Sequence, residues 1–387
     1  MPRKRRGRGE GSIYQRADGS WCATYSAGYA ANGKRIRRTV FGASKDEVNN
    51  KLTKVLAGRL DGSYIEPNRT RLAAFLERWL EDAARPSIRP TTYVSYKGIV
   101  NNHIGPRIGG TSLALLNPTH VQRLYADMER DGVGPRVRQL THAVLRRALK
   151  QALRWGLIVR NPCDAVDPPR VPKHEISPFT SEQVQIFLAA AKSDRLYALF
   201  VVAVGTGMRL GEIFGLRWPD VDLKGRAISV RNTLIEVNGK ITLAEPKTPK
   251  SRRRVDLPQV VIDALTEHRA QTMREGFASE PWVFCNSAGG PLRRTHFQFN
   301  HFKPILIAAG LPDIRFHDLR HTSATLLLAA GVHPKVVQER LGHSQIGITL
   351  DTYSHVVPTM QLEAAAKLDA MMRPVAKPKR AKSRRRA

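Results

Sequence analysis

NPCDAVDPPRVPKHEISP, residues 161–178, decides how this chain is built. Its prolines recur too closely for a helix interior or a central strand, and no apolar period survives them, so the stretch reads as an interdomain linker. A boundary there suits a chain of 387 residues, which is long for a single core, while 42% hydrophobic content is too apolar for global disorder.

On its N-terminal side the text is helical. A run from about Pro135 to Trp155 sets Val137, Leu140, Val144, Leu145, Leu149 and Leu153 on one face, with Arg136, Arg138, Arg146, Arg147, Lys150 and Arg154 outside. No acid offsets these bases within the span, so Arg138, Arg146 and Lys150 are candidate DNA contacts rather than a solvated face alone. Earlier come Asn117-Pro118, an N-cap before a first-turn proline, then Tyr93 to Ile104, then a stripe of Leu72, Phe75, Leu76, Trp79 and Leu80. Before Gly62 the period changes to two. SIYQR, WCATYSAGYA and KRIRRTVFG, separated by turns at Ala17-Asp18-Gly19 and Ala31-Asn32-Gly33, predict a three-stranded antiparallel sheet. Ser44 with Glu47 then forms a capping box, and Val48, Leu52, Val55 and Leu56 give the helix that follows an apolar face.

On the C-terminal side Thr180 with Gln183 caps another helix, and a mixed region runs to about Ala370. Its strands lie in AISVRNTLIEV, KITLAE and RRRVDLP as one short sheet among helices. The expected fold class is multidomain α+β: a small three-stranded sheet plus helix with a basic arm over 1–62, a helical domain over 68–165, a mainly α domain with a small antiparallel sheet over 175–370, and a basic flexible tail over 371–387.

Lys and Arg number 63 against 33 Asp and Glu, a formal charge of +30. A field of that strength collects polyanions, so nucleic acid is the first partner to expect. An acidic membrane surface is the rival, but apolar runs such as Leu196 to Val204 fall far short of the roughly 20 residues a span needs. The start, MPRKRRGRGEG, leads into no apolar stretch of a secretory signal, which points to the cytoplasm. Cys22, Cys163 and Cys285 are widely separated and form no CxxC pair, so neither a disulfide framework nor a thiolate metal site is expected.

Four strings carry possible chemistry: TGMRLGEI with Arg209 and Glu212, EPKTPKSRRRV with Lys247, HDLRHTSAT with His317 and Arg320, and LGHSQIGITLDTYSHV with His343 and Tyr353. Singly, each has an ordinary explanation. HxxR places two side chains on one helix face, Arg209 and Glu212 can form an i, i+3 pair, Lys247 can be a solvated hairpin lysine, and Tyr353 a half-buried tyrosine.

Together they fit attack on a phosphodiester. A tyrosine hydroxyl, with a pKa near 10, is ionised to about one part in a thousand at neutral pH and needs help to act as a nucleophile. Two forked guanidinium groups can bind nonbridging oxygens and stabilise the charge of a five-coordinate phosphorus. A lysine on a hairpin can protonate the leaving 5′ oxygen, and imidazoles can exchange a proton with the tyrosine or hydrogen-bond the phosphate. No metal or other cofactor is required by this chemistry.

These motifs, in this order and with the short spacing from LGH to DTY, resemble those of the tyrosine recombinases, specifically the larger phage and integrative-element integrases. The resemblance covers about residues 10–60, 68–165 and 175–365. It implies that Arg209 and Arg320 are catalytic arginines, Glu212 the acid supporting Arg209, Lys247 the hairpin lysine, His317 and His343 the histidines, and Tyr353 the nucleophile. Lys250, Arg252, Arg253 and Arg254 lie close enough to Lys247 for a shifted assignment. It further implies a 3′-phosphotyrosyl intermediate, no need of ATP or metal, a homotetramer on DNA attachment sites, a DNA-bending protein and an excisionase as partners, and a first domain whose sheet lies in the major groove. On that sheet Gln15, Arg16, Arg35, Arg37 and Arg38 are the candidate DNA contacts. The alternatives are a chromosome-dimer resolvase or type IB topoisomerase using the same residues, and a noncatalytic DNA-binding protein on the same fold; the separate N-terminal domain favours integration.

Overall fold

The computed structural model describes residues 11–29, 32–60, 70–172, 177–245, 252–343 and 345–347, with 365–366, 368–369 and 371–372 in a helical stretch beyond. The chain divides into two compact units, Met1–Lys173 and His174–Ala387.

In the first unit β1 (Ser12–Gln15), β2 (Trp21–Tyr29) and β3 (Arg35–Gly42) form an antiparallel sheet in the order β1-β2-β3. Turn chemistry fixes the hairpins. Asp18 accepts from the Ser20 N–H at 3.0 Å, and Asn32 accepts from the Lys34 N–H at 3.2 Å beside Gly33 at φ +75. Ala23 and Tyr25 of β2 bury against Val48, Leu52 and Val55 of α1 (Lys45–Leu60). The Ser44 hydroxyl caps that helix at the Glu47 N–H, 3.2 Å away, while Glu47 reaches back to the Ala43 N–H at 2.8 Å.

A second core belongs to the helices α2 (Leu72–Trp79), α3 (Pro90–Ile99), α4 (Gly105–Ile108), α5 (Pro118–Arg130) and α6 (Pro135–Arg154). α2 and α3 continue through wider turns at Leu80–Ala84 and Val100–Ile104, which keep Leu80, Ala84, Val100 and Ile104 buried. The Asn117 side chain caps α5 by accepting from the His120 N–H at 3.1 Å. The linker begins later than its prolines indicate. Pro162–Ala165 forms a short 3-10 turn whose Cys163 is buried in the helical core, and the Asn161 amide holds it to the Arg146 carbonyl at 3.1 Å.

The second unit is built on α8 (Tyr197–Thr206), apolar all round and therefore buried among α7 (Ser181–Ala191), α10 (Gln259–Arg274) and α13 (Asp318–Ala329). Phe187, Phe200, Phe297, Phe302 and Phe316 interlock in its core, with ring centroids as close as 5.3 Å. Thr180 and Gln183 form the expected capping box of α7. The expected single sheet is in fact two. β4 (Val221–Asp222), β5 (Ala227–Val230) and β8 (Arg253–Asp256) make one, and β6 (Thr233–Val237) with β7 (Lys240–Ala244) makes a separate hairpin, because the chain turns out of β5 at Arg231 and Asn232. α9 (Leu210–Phe214), α11 (Arg294–Phe297), α12 (Lys303–Ala308) and α14 (Pro334–Leu341) complete the described elements. α8 and α14 both end on a glycine in the left-handed conformation, Gly207 at φ +65 and Gly342 at φ +69. None of the helices among the described residues is long and apolar enough to cross a membrane.

Candidate active site

The two helix-ending glycines face one another through arginines. Arg320, on α13 and 3% exposed, donates from Nη1 to the Gly207 carbonyl and from Nη2 to the Leu341 carbonyl, each at 2.7 Å. Both acceptors are last-turn or cap carbonyls left without a partner inside their own helices, so the guanidinium satisfies them and is oriented by them. Arg209, the residue before α9, reaches the Gly342 carbonyl at 3.5 Å. Three chain segments distant in sequence therefore meet at Gly207, Arg320 and Leu341 to Gly342.

Glu212 anchors Arg209 twice. Its Oε2 accepts the Arg209 backbone N–H at 3.0 Å and its Oε1 accepts Nη1 at 2.8 Å. The carboxylate is only 3% exposed. Burial pushes its pKa up, but Arg253 and then Arg209 outweigh that and hold it below the ordinary glutamate value. Arg209 itself keeps 38% of its side chain exposed, so a guanidinium fixed at its base still offers donors outward.

The imidazoles lie in the same cationic neighbourhood. His343 follows Gly342 directly, and burial, with Arg320 and Arg209 beside it, pushes its pKa down to about 4. For His317, at the start of α13, burial acts first and His321, Arg320 and Arg209 add to it, again taking the pKa down to about 4. His317 remains exposed to water, which screens part of this. Both rings are neutral at pH 7. His321, whose ring centroid lies 5.2 Å from that of His317, is displaced the same way, by burial first. The buried Asp318 holds the start of α13 by accepting from Arg315 Nη2 and backbone N, both at 2.9 Å.

Five of the expected positions, Arg209, Glu212, His317, Arg320 and His343, are thus brought together; Lys247 and Tyr353 lie outside the described residues. Two neighbours had no separate signal as site residues. Arg253 was one of three consecutive arginines, and His321 directly follows the HxxR arginine. Among the described residues no group of three or more His, Cys, Asp or Glu side chains could hold a metal ion.

The candidate DNA contacts of the first unit divide by strand pleat. Arg37 pairs with Ser26 and so lies on the face away from α1, where Arg35 donates Nε to the Ser26 hydroxyl at 2.8 Å and Arg16 lies 5.6 Å over the Phe41 ring. Arg38 pairs with Tyr25 on the helix-covered side, and Gln15 donates to the Gly19 carbonyl at 3.0 Å. On α6, Lys150 is exposed. Arg138, with a side chain 15% exposed, pairs with Glu129 of α5 at 2.7 Å, and Arg146 pairs with Asp164 at 2.7 Å. The acids missing from the α6 sequence are supplied by neighbouring elements.

This architecture is an integrase fold. It is similar to the Tn1549 transposon integrase in complex with a circular intermediate DNA (TM-score 0.65, 21% identity, 78% of this chain and 99% of that one). It is also similar to a lambda integrase tetramer bound to a Holliday junction (TM-score 0.54, 19% identity, 90% and 96%). Residues 178–360 match the phage integrase family, and residues 71–128 match the N-terminal SAM-like domain of phage integrases. A tyrosine recombinase XerC-like protein of Caldanaerobacter subterraneus is 31% identical over 371 residues, 89% of this chain and 95% of that protein. An integrase of Saccharopolyspora erythraea is 26% identical over 428 residues, 95% and 98%. The chain belongs to the phage integrase family of tyrosine recombinases, and it is a site-specific DNA recombinase.

Proposed function

We propose that this recombinase integrates or excises a phage or mobile element by cutting and rejoining DNA through a 3′-phosphotyrosyl intermediate, with Tyr353 as nucleophile. Tyr353 attacks phosphorus, the P–O5′ bond breaks, and Lys247 gives a proton to the departing 5′ oxygen. Arg209 and Arg320 stabilise the added negative charge, with Glu212 fixing Arg209. The neutral rings of His317 and His343 are suited to accepting the tyrosine proton and to hydrogen-bonding the phosphate. Attack by a 5′ hydroxyl from a partner duplex reverses these steps, so the energy of the broken bond is conserved and neither nucleotide cofactor nor metal is called for.

What carries this reading is the meeting of Arg209 and Arg320 at one pair of helix ends, beside two imidazoles that are uncharged at pH 7. The domains are assigned as an arm-type DNA-binding domain over 1–62, a core-binding domain over 68–165, the catalytic domain over 175–370 and a basic tail over 371–387. The SAM-like match at 71–128 supports the second of these, and the lambda integrase tetramer supports four protomers on two duplexes. Two DNA-binding parts on one chain favour a bent DNA complex, with a DNA-bending protein and an excisionase as partners. We place the protein in the cytoplasm, associated with the nucleoid.

A nicked suicide substrate tests this directly. Wild-type protein should trap a covalent DNA adduct, and Tyr353→Phe should bind the same duplex without forming one. An adduct from the phenylalanine variant would show that the nucleophile lies elsewhere.

A further inference from the structure

Of the consecutive arginines 252–254, only the middle one turns inward. Arg253 shares a strand face with Val255, which is 1% exposed, whereas Arg252 and Arg254 keep 57% and 61% of their side chains in solvent. The Arg253 side chain is 6% exposed and is held by directed bonds to described residues. Nη2 donates to Glu212 Oε2 at 2.9 Å, Nη1 to Glu212 Oε1 at 3.3 Å, and Nε to the Arg340 carbonyl at 2.6 Å. It also packs beneath Gly342, where a Cβ would lie 3.1 Å from Nη1 and 3.2 Å from Cδ.

A buried ion pair on a core-facing strand position is a poor device for stability alone, since apolar side chains of similar volume commonly serve as well or better. Here it touches both halves of the active site. Through Glu212 it sets the fork that aligns Arg209. Through Arg340 and Gly342 it holds the chain reversal whose Leu341 carbonyl seats Arg320 and whose next residue is His343.

We propose that Arg253 is a positioning residue for strand cleavage, tying the Glu212–Arg209 pair to the Leu341-Gly342-His343 turn so that both arginines and His343 meet one phosphate. The inference rests on Arg209 and Arg320 being the phosphate-binding arginines.

The test uses full-length protein and a nicked duplex carrying the core site recovered from the ends of the element. Single-turnover adduct formation is followed from pH 5.5 to 8.5 for Arg253→Met and Arg253→Lys, alongside thermal unfolding and core-site affinity. Arg253→Met should retain affinity within about threefold, yet cleave about a hundredfold or more slowly. It should also gain an acid-side loss of rate absent from wild type, because Glu212 without its foremost cation protonates at higher pH. Arg253→Lys, which keeps the charge but not the fork, should remove that acid-side loss while recovering only part of the rate. Cleavage within about threefold of wild type with an unchanged pH profile, or a rate loss no larger than the loss of folded protein, overturns the proposal. Should Arg253→Met not fold, Arg253→Met with Glu212→Gln removes both buried charges. Cleavage by that pair no slower than by Glu212→Gln alone, or its failure to fold, makes Arg253 a stability residue and likewise overturns the proposal; a folded pair that cleaves more slowly than Glu212→Gln alone upholds it. Arg209→Ala, run in parallel, separates the failures, since wild-type cleavage by that variant would sink the underlying reading rather than the role of Arg253.

Discussion

Replacing Arg320 with alanine should separate cleavage from binding at a calculable expense in stability. The guanidinium is buried and bonded at 2.7 Å to the Gly207 and Leu341 carbonyls, so the variant strands two acceptors. Each stranded acceptor costs about 1–3 kcal/mol. Water entering the space left by the side chain can bond both carbonyls and recover part of that, leaving a net loss of about 2–3 kcal/mol. For a unit of this size the loss lowers Tm by roughly 5–10 °C, which leaves the protein folded at 25 °C given an ordinary total stability of about 5–15 kcal/mol. Losing one preorganised donor to the transition state should slow adduct formation by about 10²–10³-fold. Core-site affinity should change by only about a few-fold, because one phosphate contact among many is removed. Thermal melts, single-turnover trapping on a nicked substrate and binding titrations at fixed salt measure the three quantities. Parallel loss of binding and cleavage would make Arg320 structural, and an unchanged Tm would show that the two carbonyls never depended on it.

Acidification should destabilise the second unit. In the unfolded chain His317 and His343 take up protons below about pH 6.5, whereas in the folded protein both pKa values are pushed down to about 4. The unfolded state therefore binds more protons between these limits, and stability present at pH 7 is lost as pH falls from about 6.5 toward 4. Urea midpoints should drop across that window, and the double variant His317→Gln, His343→Gln should show a shallower drop; an equal slope would refute the assignment. On α6, Lys150→Ala should lower the slope of log K against log salt by about one without changing Tm. Arg138→Ala should lower Tm and leave the slope alone, because Arg138 is engaged with Glu129. Equal slope changes in duplex-DNA titrations would contradict that division.

Much of the architecture was legible because its signals are local. Alternation in SIYQR, WCATYSAGYA and KRIRRTVFG, the Asp-Gly and Asn-Gly turns, and the capping residues Ser44, Asn117 and Thr180 each act within a few positions, and the structure uses them where the text puts them. The helix from Pro135 is equally plain from its 3.6-residue period. Less legible was the division of the sheet at Arg231 and Asn232, since AISVRNTLIEV reads as continuous strand and only β8, arriving from later in the chain, claims β5. The stretch after Asn161 also misled, because a buried Cys163 leaves no mark in a run of prolines.

By itself the sequence determined the class of chemistry: an ordered set of arginines, histidines and a tyrosine at family spacing, on a chain with a net charge of +30. Only the tertiary structure decided which charges are available. It turned Arg253 into the protein toward Glu212 while Arg252 and Arg254 stayed in solvent, set Arg138 against an acid on another helix, and put Arg38 on the opposite sheet face from Arg37. The physical reason is range. Propensity, capping and period act between near neighbours in the chain, whereas the partner that neutralises or aims a guanidinium is whichever group the packed core brings within about 3 Å, however far away it lies in sequence.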